Sequence, residues 1–171
     1  MTELDEIEAL IPSLRRYARA LMRGDAEAGD DLVQDCLERA VAALSRHRPD
    51  ASLRAWVFRI LINRHRDLMR SSARPGHLVP VEDLPVEPAT AAGQEAHMAL
   101  RETGAAIARL PDDQRRALLL VALDGASIDE AAAALDIPRG TLLSRLARAR
   151  ASLRQMTGRP AKPPARPGGR L

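Results

Sequence analysis

The spacing of apolar residues is the feature that most limits how this chain of 171 residues can fold. In several segments apolar side chains recur at steps of three and four residues, which is the period of an amphipathic helix. Valine, isoleucine and threonine are sparse and never alternate with polar residues over the length of a strand. The pattern therefore predicts an all-α fold.

Two proline clusters divide the helical segments. Four of the twelve prolines lie between Ser71 and Gln94, and four more lie in the last twelve residues. The first cluster has no helical period and is longer than most connections inside compact domains. The sequence therefore predicts two small helical domains joined by a flexible linker, and a tail. The predicted boundaries are domains at 1–72 and 95–157, a proline-rich linker at 73–94 and a basic disordered tail at 158–171.

Three helices are predicted in the N-terminal domain. The first ends near Gly24, Asp25 caps the second, and Ser52 caps the third. Trp56 lies beside the apolar stripe of the third helix, so core packing and base stacking are both open to it. Phe58 lies off that stripe and is either packed against another helix or exposed.

Four helices are predicted in the C-terminal domain, at about 94–109, 112–124, 127–135 and 141–157. Gly125 is placed as a C-terminal cap. Ser127 and Glu130 match the capping box, in which each side chain satisfies the other residue's backbone donor. The last two helices are joined by a tight turn, which is the pattern of a helix-turn-helix motif that inserts its second helix into the DNA major groove.

The last helix has two chemically distinct faces. At 100° per residue, its leucines fall on one stripe, and its N-terminal hydroxyl and arginine side chains fall on the opposite side. Arginine can bind guanine with two hydrogen bonds, and hydroxyl groups can hold phosphate. The alternative is an ordinary solvated face. The opposing residues are Thr141, Ser144, Arg145 and Arg148.

Charge is distributed unevenly along the chain. From Ile137 onward there are nine basic residues and no acidic ones, whereas the first 136 residues have 17 basic and 23 acidic residues. The overall net charge of +3 hides this division. The distribution indicates nucleic-acid contact at the basic end and a different partner elsewhere, or a solvated tail that binds nothing.

Several classes of protein are disfavoured by what the sequence lacks. No apolar run approaches the roughly 20 residues of a membrane span. An acidic N-terminus and one cysteine predict a cytoplasmic protein. The four histidines have no metal-ligand spacing, and no phosphate-binding loop or nucleophile elbow is present. We therefore expect no enzyme activity, no metal or cofactor, and no small-molecule substrate.

Two blocks of sequence resemble a known family. Residues 110–120 (LPDDQRRALLL), 124–132 (DGASIDEAA) and 137–150 (IPRGTLLSRLARAR) resemble region 4 of the extracytoplasmic-function (ECF, group 4) sigma factors of the sigma-70 family. Residues 25–40 and 53–70 resemble region 2. The resemblance implies a sigma factor that binds core RNA polymerase and promoter DNA in a stress response, under the control of an anti-sigma factor.

The resemblance also implies roles for individual residues. Leu143 departs from the family pattern, because many relatives have lysine or arginine there. The loop before the third helix lacks the aromatic residue often found in relatives. The implied minus-35 contacts are Arg139, Thr141, Leu143, Ser144, Arg145 and Arg148. The implied minus-10 contacts are Arg46, His47, Arg48, Arg59, Asn63, Arg66 and Arg70. The implied core polymerase contacts are Asp31, Gln34, Asp35, Glu38 and Arg39.

Two other functions remain open from the sequence. One is a stand-alone helix-turn-helix regulator that uses only the C-terminal domain. The other is a sigma-like decoy that binds an anti-sigma factor and no promoter.

Overall fold

The computed structural model describes residues 2–72 and 91–158, and for residues 91–97 it describes the helical backbone only. Most of the predicted linker and nearly all of the predicted tail lie outside the described residues. Within these ranges the chain is helical and no strand occurs, so the predicted all-α class is confirmed. The elements are α1 (Glu3–Leu21), α2 (Ala26–Ala43), a 3₁₀ turn (Leu44–Arg46), α3 (Leu53–Ser72), α4 (Ala91–Ala108), α5 (Asp112–Asp124), α6 (Ile128–Leu135) and α7 (Arg139–Thr157).

The predicted helix caps are present. Asp25 accepts a hydrogen bond from the amide of Ala28 at 2.9 Å. Ser127 and Glu130 form both bonds of the capping box, at 3.2 and 3.0 Å. Gly125 follows α5 with a φ of 62°, in the left-handed region that glycine adopts at little cost. Local side-chain chemistry therefore fixes where these helices begin and end.

Two helices begin earlier than predicted. Helix α4 starts at Ala91, so its first four residues, 91–94, lie inside the predicted linker. Helix α7 starts at Arg139 rather than at Thr141, because the ring of Pro138 fixes its φ at −60° and so sets up the first turn. The carbonyl of Pro138 accepts the first helical hydrogen bond, from Leu142 at 3.1 Å. Arg139 consequently lies within the helix.

Helices α1, α2 and α3 form an N-terminal lobe around apolar side chains that are almost fully buried. Cys36 lies in this core, where its thiol donates to the carbonyl of Val57 at 3.5 Å. Burial raises the pKa of the Cys36 thiol to about 12, so the group stays protonated and unreactive. The largest buried apolar side chains of the lobe are Leu14, Tyr17, Leu21, Leu32, Phe58, Leu61 and Ile62.

A close approach between α1 and α2 depends on Gly29. A Cβ atom at this position would lie 2.8 Å from Cγ and 2.9 Å from Cα of Arg19. Backbone atoms cannot give way as a flexible side chain can, so the two helices would have to separate. We expect Gly29→Ala to lower the free energy of unfolding by about 1–3 kcal/mol in urea denaturation. Gly104→Ala, at a helical site with open space around it, is the control. Equal stability of the two variants would contradict the close approach.

The C-terminal lobe, α4 to α7, packs directly against the N-terminal lobe. Helix α3 contacts α6, and α1 contacts α5. Phe58 is buried, with its ring 5.6 Å from that of Tyr17 in an edge-on arrangement. The Tyr17 hydroxyl donates across the lobes to the carbonyl of Arg116 at 3.0 Å. Phe58 thus takes the first of its two predicted environments.

Within the described ranges, no helix combines the length and hydropathy needed to cross a bilayer.

Candidate nucleic-acid interface

Helix α7 has the two faces that its sequence predicts. Leu142, Leu146 and Ala149 are buried against the rest of the lobe. On the other side Ser144 and Arg148 are exposed. Because α6 and the turn at residues 136–138 hold this helix at its N-terminal end, the exposed side chains of its first turns point away from the protein core.

The remaining predicted residues of α7 differ in how accessible they are. Leu143 is 45% exposed, so an apolar side chain stands among polar ones on the outer surface. Thr141 is half-buried. The Arg145 side chain is only 20% exposed and lies 3.6 Å from the carboxylate of Asp113 on α5. Ser144, Arg148 and Leu143 therefore form the most accessible part of this face.

Arg139 lies at the first turn of α7. Its guanidinium is 2.5 Å from the carboxylate of Asp129 on α6, and both side chains are more than half exposed. An exposed pair of this kind contributes little to stability and can separate when a phosphate competes for the arginine.

The polar face of α3 is divided between solvent and the C-terminal lobe. Asn63 and Arg70 are exposed, and Arg66 is half-buried with a guanidinium nitrogen 3.4 Å from the Asn63 side-chain oxygen. Arg59 instead donates to the carbonyl of Ala133 in α6, at 2.8 and 3.2 Å. One end of the predicted minus-10 face is thus occupied by the other lobe.

The loop before α3 presents two arginines around a buried histidine. Arg46 and Arg48 are exposed. The side chain of His47 is 3% exposed, with its ring 5.1 Å from that of Trp56 and its Nδ1 2.9 Å from a Glu3 carboxylate oxygen. Trp56 is itself partly buried against the core. The histidine ring therefore fixes the position of the loop and presents no edge to solvent.

The outer face of α2 is mainly acidic. Asp31, Gln34 and Glu38 are exposed at successive helical turns, and Gln34 donates to Glu38 at 3.2 Å. Arg39 is also exposed, at the margin of this face. The hydrogen bonds from Gln34 to Glu38 and from Arg39 to Asp35 stay within α2, so these exposed side chains are accessible to a partner.

Asp35 has a different environment from the rest of α2's outer face. Its carboxylate forms close ion pairs with Arg39, four residues along the same helix, and with Arg64 of α3. Burial raises the pKa of Asp35, but the hydrogen bonds from Arg39 and Arg64 outweigh it, and the net pKa lies below the ordinary value. Asp35 therefore connects α2 to α3 as well as contributing charge to the surface.

Comparison with known proteins matches both lobes. Residues 7–62 match the family described as the Sigma2 domain of PhyR, and residues 100–153 match Sigma-70, region 4. The chain is 42% identical over 153 residues to the ECF RNA polymerase sigma factor EcfG of Rhodopseudomonas palustris, covering 87% of this chain and 81% of that protein. The chain belongs to the ECF sigma factor family.

Two further relatives agree with this assignment. The ECF RNA polymerase sigma factor SigM of Mycobacterium tuberculosis is 38% identical over 85% of this chain and 71% of its own length. The solved structure of the sigma factor RpoE in complex with the anti-sigma factor NepR, from Bartonella quintana, superposes with a TM-score of 0.73 at 31% identity. That superposition covers 90% of this chain and 95% of the other.

In this sigma factor, sequence reasoning missed a group of charged side chains buried where the lobes meet. Arg115 is 1% exposed and reaches the carboxylate of Asp112 at 3.0 Å and the carbonyl of Leu21 at 3.5 Å. Arg116 is also buried and donates from Nε to Nδ1 of His65 at 3.3 Å. The signal in the sequence was that both arginines directly precede an uninterrupted run of apolar residues at 117–123, longer than the stripe of a helix with one buried face. A helix buried on that many sides needs a second surface to pack against.

The environment of His65 predicts how stability depends on pH. Burial, together with the charges of Arg116 and Arg115, lowers the pKa of His65 to about 4, and the opposing charge of Asp112 is too weak to prevent this. In the unfolded chain His65 has a pKa near 6.5 and takes up a proton at a pH where the folded chain keeps it neutral. The contribution of His65 to the free energy of unfolding is therefore fully present above pH 6.5 and is lost as the pH falls toward 4. We expect His65 to contribute a loss of about 1.4 kcal/mol between pH 7.5 and 5.5.

The matched variant for this measurement is His65→Gln, which keeps an acceptor for Arg116 and removes the titration. Urea denaturation at both pH values should show a smaller loss of stability in the variant than in the wild type. An identical loss in the two proteins would contradict the assignment to His65.

Proposed function

We propose that this sigma factor directs core RNA polymerase to promoters through three separate surfaces on two DNA-binding domains, at 1–72 and 95–157. The polymerase binds the outer face of α2, the minus-10 element binds α3 and the loop before it, and the minus-35 element binds α7. The observation that best supports this assignment is the exposure of Ser144 and Arg148 opposite the buried leucine stripe of α7.

Minus-35 recognition is assigned to the first three turns of α7. Arg148 has the exposure and reach for two hydrogen bonds to a guanine, and Ser144 and Thr141 have hydroxyl groups suited to phosphate. Leu143 offers an apolar contact of the kind that a thymine methyl group accepts. Arg139 and Arg145 also contact the minus-35 DNA, once their ion pairs with Asp129 and Asp113 have separated.

Minus-10 recognition is assigned to the exposed cations of α3 and of the preceding loop. Arg46 and Arg48 contact DNA directly, whereas His47 positions them through its ring contact with Trp56. On α3 the contacts come from Asn63 and from three arginines on the same face. These arginines are Arg59, Arg66 and Arg70.

Polymerase docking is assigned to Asp31, Gln34 and Glu38, with Arg39 at the edge. Asp35 holds the Arg39 guanidinium in position by accepting a hydrogen bond from its Nε at 3.0 Å. An acidic face that is distinct from the cationic faces lets one chain bind a protein and DNA at the same time.

The comparisons also support control by a protein partner. The RpoE relative was solved in complex with the anti-sigma factor NepR, and this chain resembles it over nearly its whole length. We infer that an anti-sigma factor controls this chain too, within a stress response. We place the chain in the cytoplasm, where its polymerase and promoters are, and assign it no catalytic activity of its own.

Transcription reconstituted with core polymerase tests the proposal. Mapping the 5′ ends of transcripts induced by overexpression identifies a promoter, and run-off transcription from that template then requires core enzyme together with this chain. A template with a scrambled minus-35 element is the control and should give no run-off product.

The same experiment tests the two other functions. Tight operator binding without polymerase, and no transcript with it, would identify a stand-alone regulator. Capture of an anti-sigma factor without any promoter-dependent transcript would identify a sigma-like decoy. One observation favours the decoy: the family that residues 7–62 match is the Sigma2 domain of PhyR. PhyR of Bartonella quintana, whose structure is solved, is an anti-anti-sigma factor, but its 20% identity to this chain indicates a shared fold alone.

A further inference from the structure

The side chain of His47 joins three elements of the N-terminal lobe. It belongs to the loop before α3, and its ring lies 5.1 Å from that of Trp56 on α3. Its Nδ1 lies 2.9 Å from a carboxylate oxygen of Glu3, in the first turn of α1. The histidine side chain is 3% exposed, whereas that of Glu3 is 46% exposed. Glu3 belongs to none of the three surfaces proposed for polymerase and DNA.

Glu3 supplies the polar partner that this buried ring needs. A carboxylate oxygen only accepts hydrogen bonds, so Nδ1 of His47 donates to it. Within the described part of the chain, the other ring nitrogen, Nε2, is buried and has no hydrogen-bond partner. Loss of Glu3 would therefore leave both ring nitrogens unpaired in a buried place, and this favours movement of the ring toward water.

The first turn of α1 holds Glu3 in a defined position. Thr2 caps this helix, because its amide donates to the Asp5 carboxylate at 2.7 Å and its hydroxyl accepts from the Asp5 amide at 3.2 Å. Ile7, one helical turn after Glu3, is buried in the core of the lobe. The end of α1 is thus fixed by its cap and by core packing, so Glu3 can anchor the loop.

Burial of the His47 ring determines where the neighbouring arginines point. The backbone at His47 is extended, with φ at −65° and ψ at 135°. Side chains of adjacent residues point to different sides of an extended backbone. An inward ring at His47 therefore turns the side chains of Arg46 and Arg48 away from the core, and both are exposed. A contact that holds the ring also holds these two cations.

We propose that Glu3 is a positioning residue for minus-10 recognition. It holds the His47 ring against Trp56, and the loop then presents its two arginines to the DNA. The first turn of α1 thereby controls DNA binding although it makes no contact with DNA itself. This role rests on the proposed assignment of the loop to the minus-10 element, but the contact of Glu3 with His47 does not.

The fluorescence of Trp56 tests the contact without DNA. Trp56 is the only tryptophan of the chain, so its emission reports the environment of one ring. We expect Glu3→Ala to shift the emission to longer wavelength and to increase quenching by acrylamide, because a displaced histidine ring exposes the indole to water. Glu3→Gln keeps an acceptor oxygen and should retain the wild-type emission. Glu6→Ala removes an exposed carboxylate from the same first turn and is the matched control.

Binding of a single-stranded minus-10 oligonucleotide by the polymerase holoenzyme measures the effect on recognition. Fluorescence anisotropy should show binding by Glu3→Ala that is about fivefold weaker than that of the wild type, which corresponds to one net hydrogen bond. Glu3→Gln and Glu6→Ala should bind as the wild type does. Each of the three variants removes one negative charge, so a general change in attraction to DNA is common to all of them. Pull-down of core polymerase should be equal in all three.

A double-mutant cycle shows whether Glu3 acts through His47. His47→Ala should weaken oligonucleotide binding by itself, and the addition of Glu3→Ala should cause no further loss, because the ring through which Glu3 acts is already absent. Circular dichroism should show equal helicity in the single and double variants. A further loss in the double variant equal to that of Glu3→Ala alone, or wild-type Trp56 emission in Glu3→Ala, would overturn the positioning role.

Variants of the two arginines keep this role apart from the proposed function. Wild-type binding of the oligonucleotide by both Arg46→Ala and Arg48→Ala would contradict the assignment of the loop to the minus-10 element, and the positioning role would fail with it. The emission of Trp56 would still establish the contact in that case. Weaker binding by the arginine variants together with wild-type binding by Glu3→Ala would overturn the positioning role alone.

Discussion

Glu38→Arg is expected to weaken binding of the chain to core RNA polymerase by at least about tenfold while its helical content stays unchanged. Glu38 is exposed on the acidic outer face of α2, and its side chain accepts a hydrogen bond from Gln34 of the same helix at 3.2 Å. Reversal of its charge puts a cation where the partner surface has to be complementary to an anion, and like charges at an interface cost several kcal/mol. Pull-down with core polymerase and polymerase-dependent run-off transcription both measure the effect.

The control for this variant is Glu8→Arg, which makes the same charge change at an exposed site on α1. It should bind polymerase as the wild type does. Equal binding by Glu38→Arg and the control would show that the outer face of α2 is not the docking surface.

Asp35→Arg is a less specific probe of the same face. The sequence predicts loss of polymerase binding with the fold retained. In the structure Asp35 also pairs with Arg64 of α3, so a third arginine beside Arg39 and Arg64 would repel both of them. We therefore expect a loss of stability together with the loss of binding, which circular dichroism and thermal unfolding would separate from docking.

Arg148→Ala is expected to weaken use of the minus-35 element by about 1–3 kcal/mol, which is the value of one good bidentate contact with guanine. The side chain is exposed, and its single recorded hydrogen bond is with the Ser144 carbonyl at 3.4 Å, so removing it leaves the helix packing intact. Competition binding of the polymerase holoenzyme to promoters that differ at one minus-35 position measures both the loss and the position that is read.

Arg150→Ala is the matched control for this measurement. It removes an exposed arginine from another face of the same helix and should reduce affinity equally for all sequences or not at all. Unchanged promoter selectivity in Arg148→Ala would favour an ordinary solvated face for α7. We expect Arg145→Ala to have a smaller effect than Arg148→Ala, because the Arg145 side chain is mostly buried beside Asp113.

The parts of the fold that could be predicted are those that depend on neighbouring residues. The capping box at Ser127 and the C-terminal cap at Gly125 set the bounds of α5 and α6, because their hydrogen bonds span only a few residues. The predicted start of α7 is two residues late, because the fixed φ of Pro138 lets the helix begin directly after the proline.

The candidate site was predictable to the level of helix faces. The wheel of α7 placed Leu142 inside and Arg148 outside, and both placements are confirmed. Helical wheels could not show that Arg145 pairs with Asp113 or that the ring of His47 packs against Trp56, because each of those contacts joins two separate elements. The family resemblance supplied the roles of these residues, and those roles stay predictions.

By itself, the sequence determined the helical class, the helix caps, the faces of α7 and the family, because all of these depend on periodicity and on contacts between near neighbours. Only the tertiary structure decided what Arg54, Arg59 and Phe58 contact. The partners of these residues lie far along the chain, with 70 residues separating Arg54 from Asp124 and 74 separating Arg59 from Ala133. A helical wheel gives a side chain's direction about its own axis, but which surface lies there depends on how the two lobes pack.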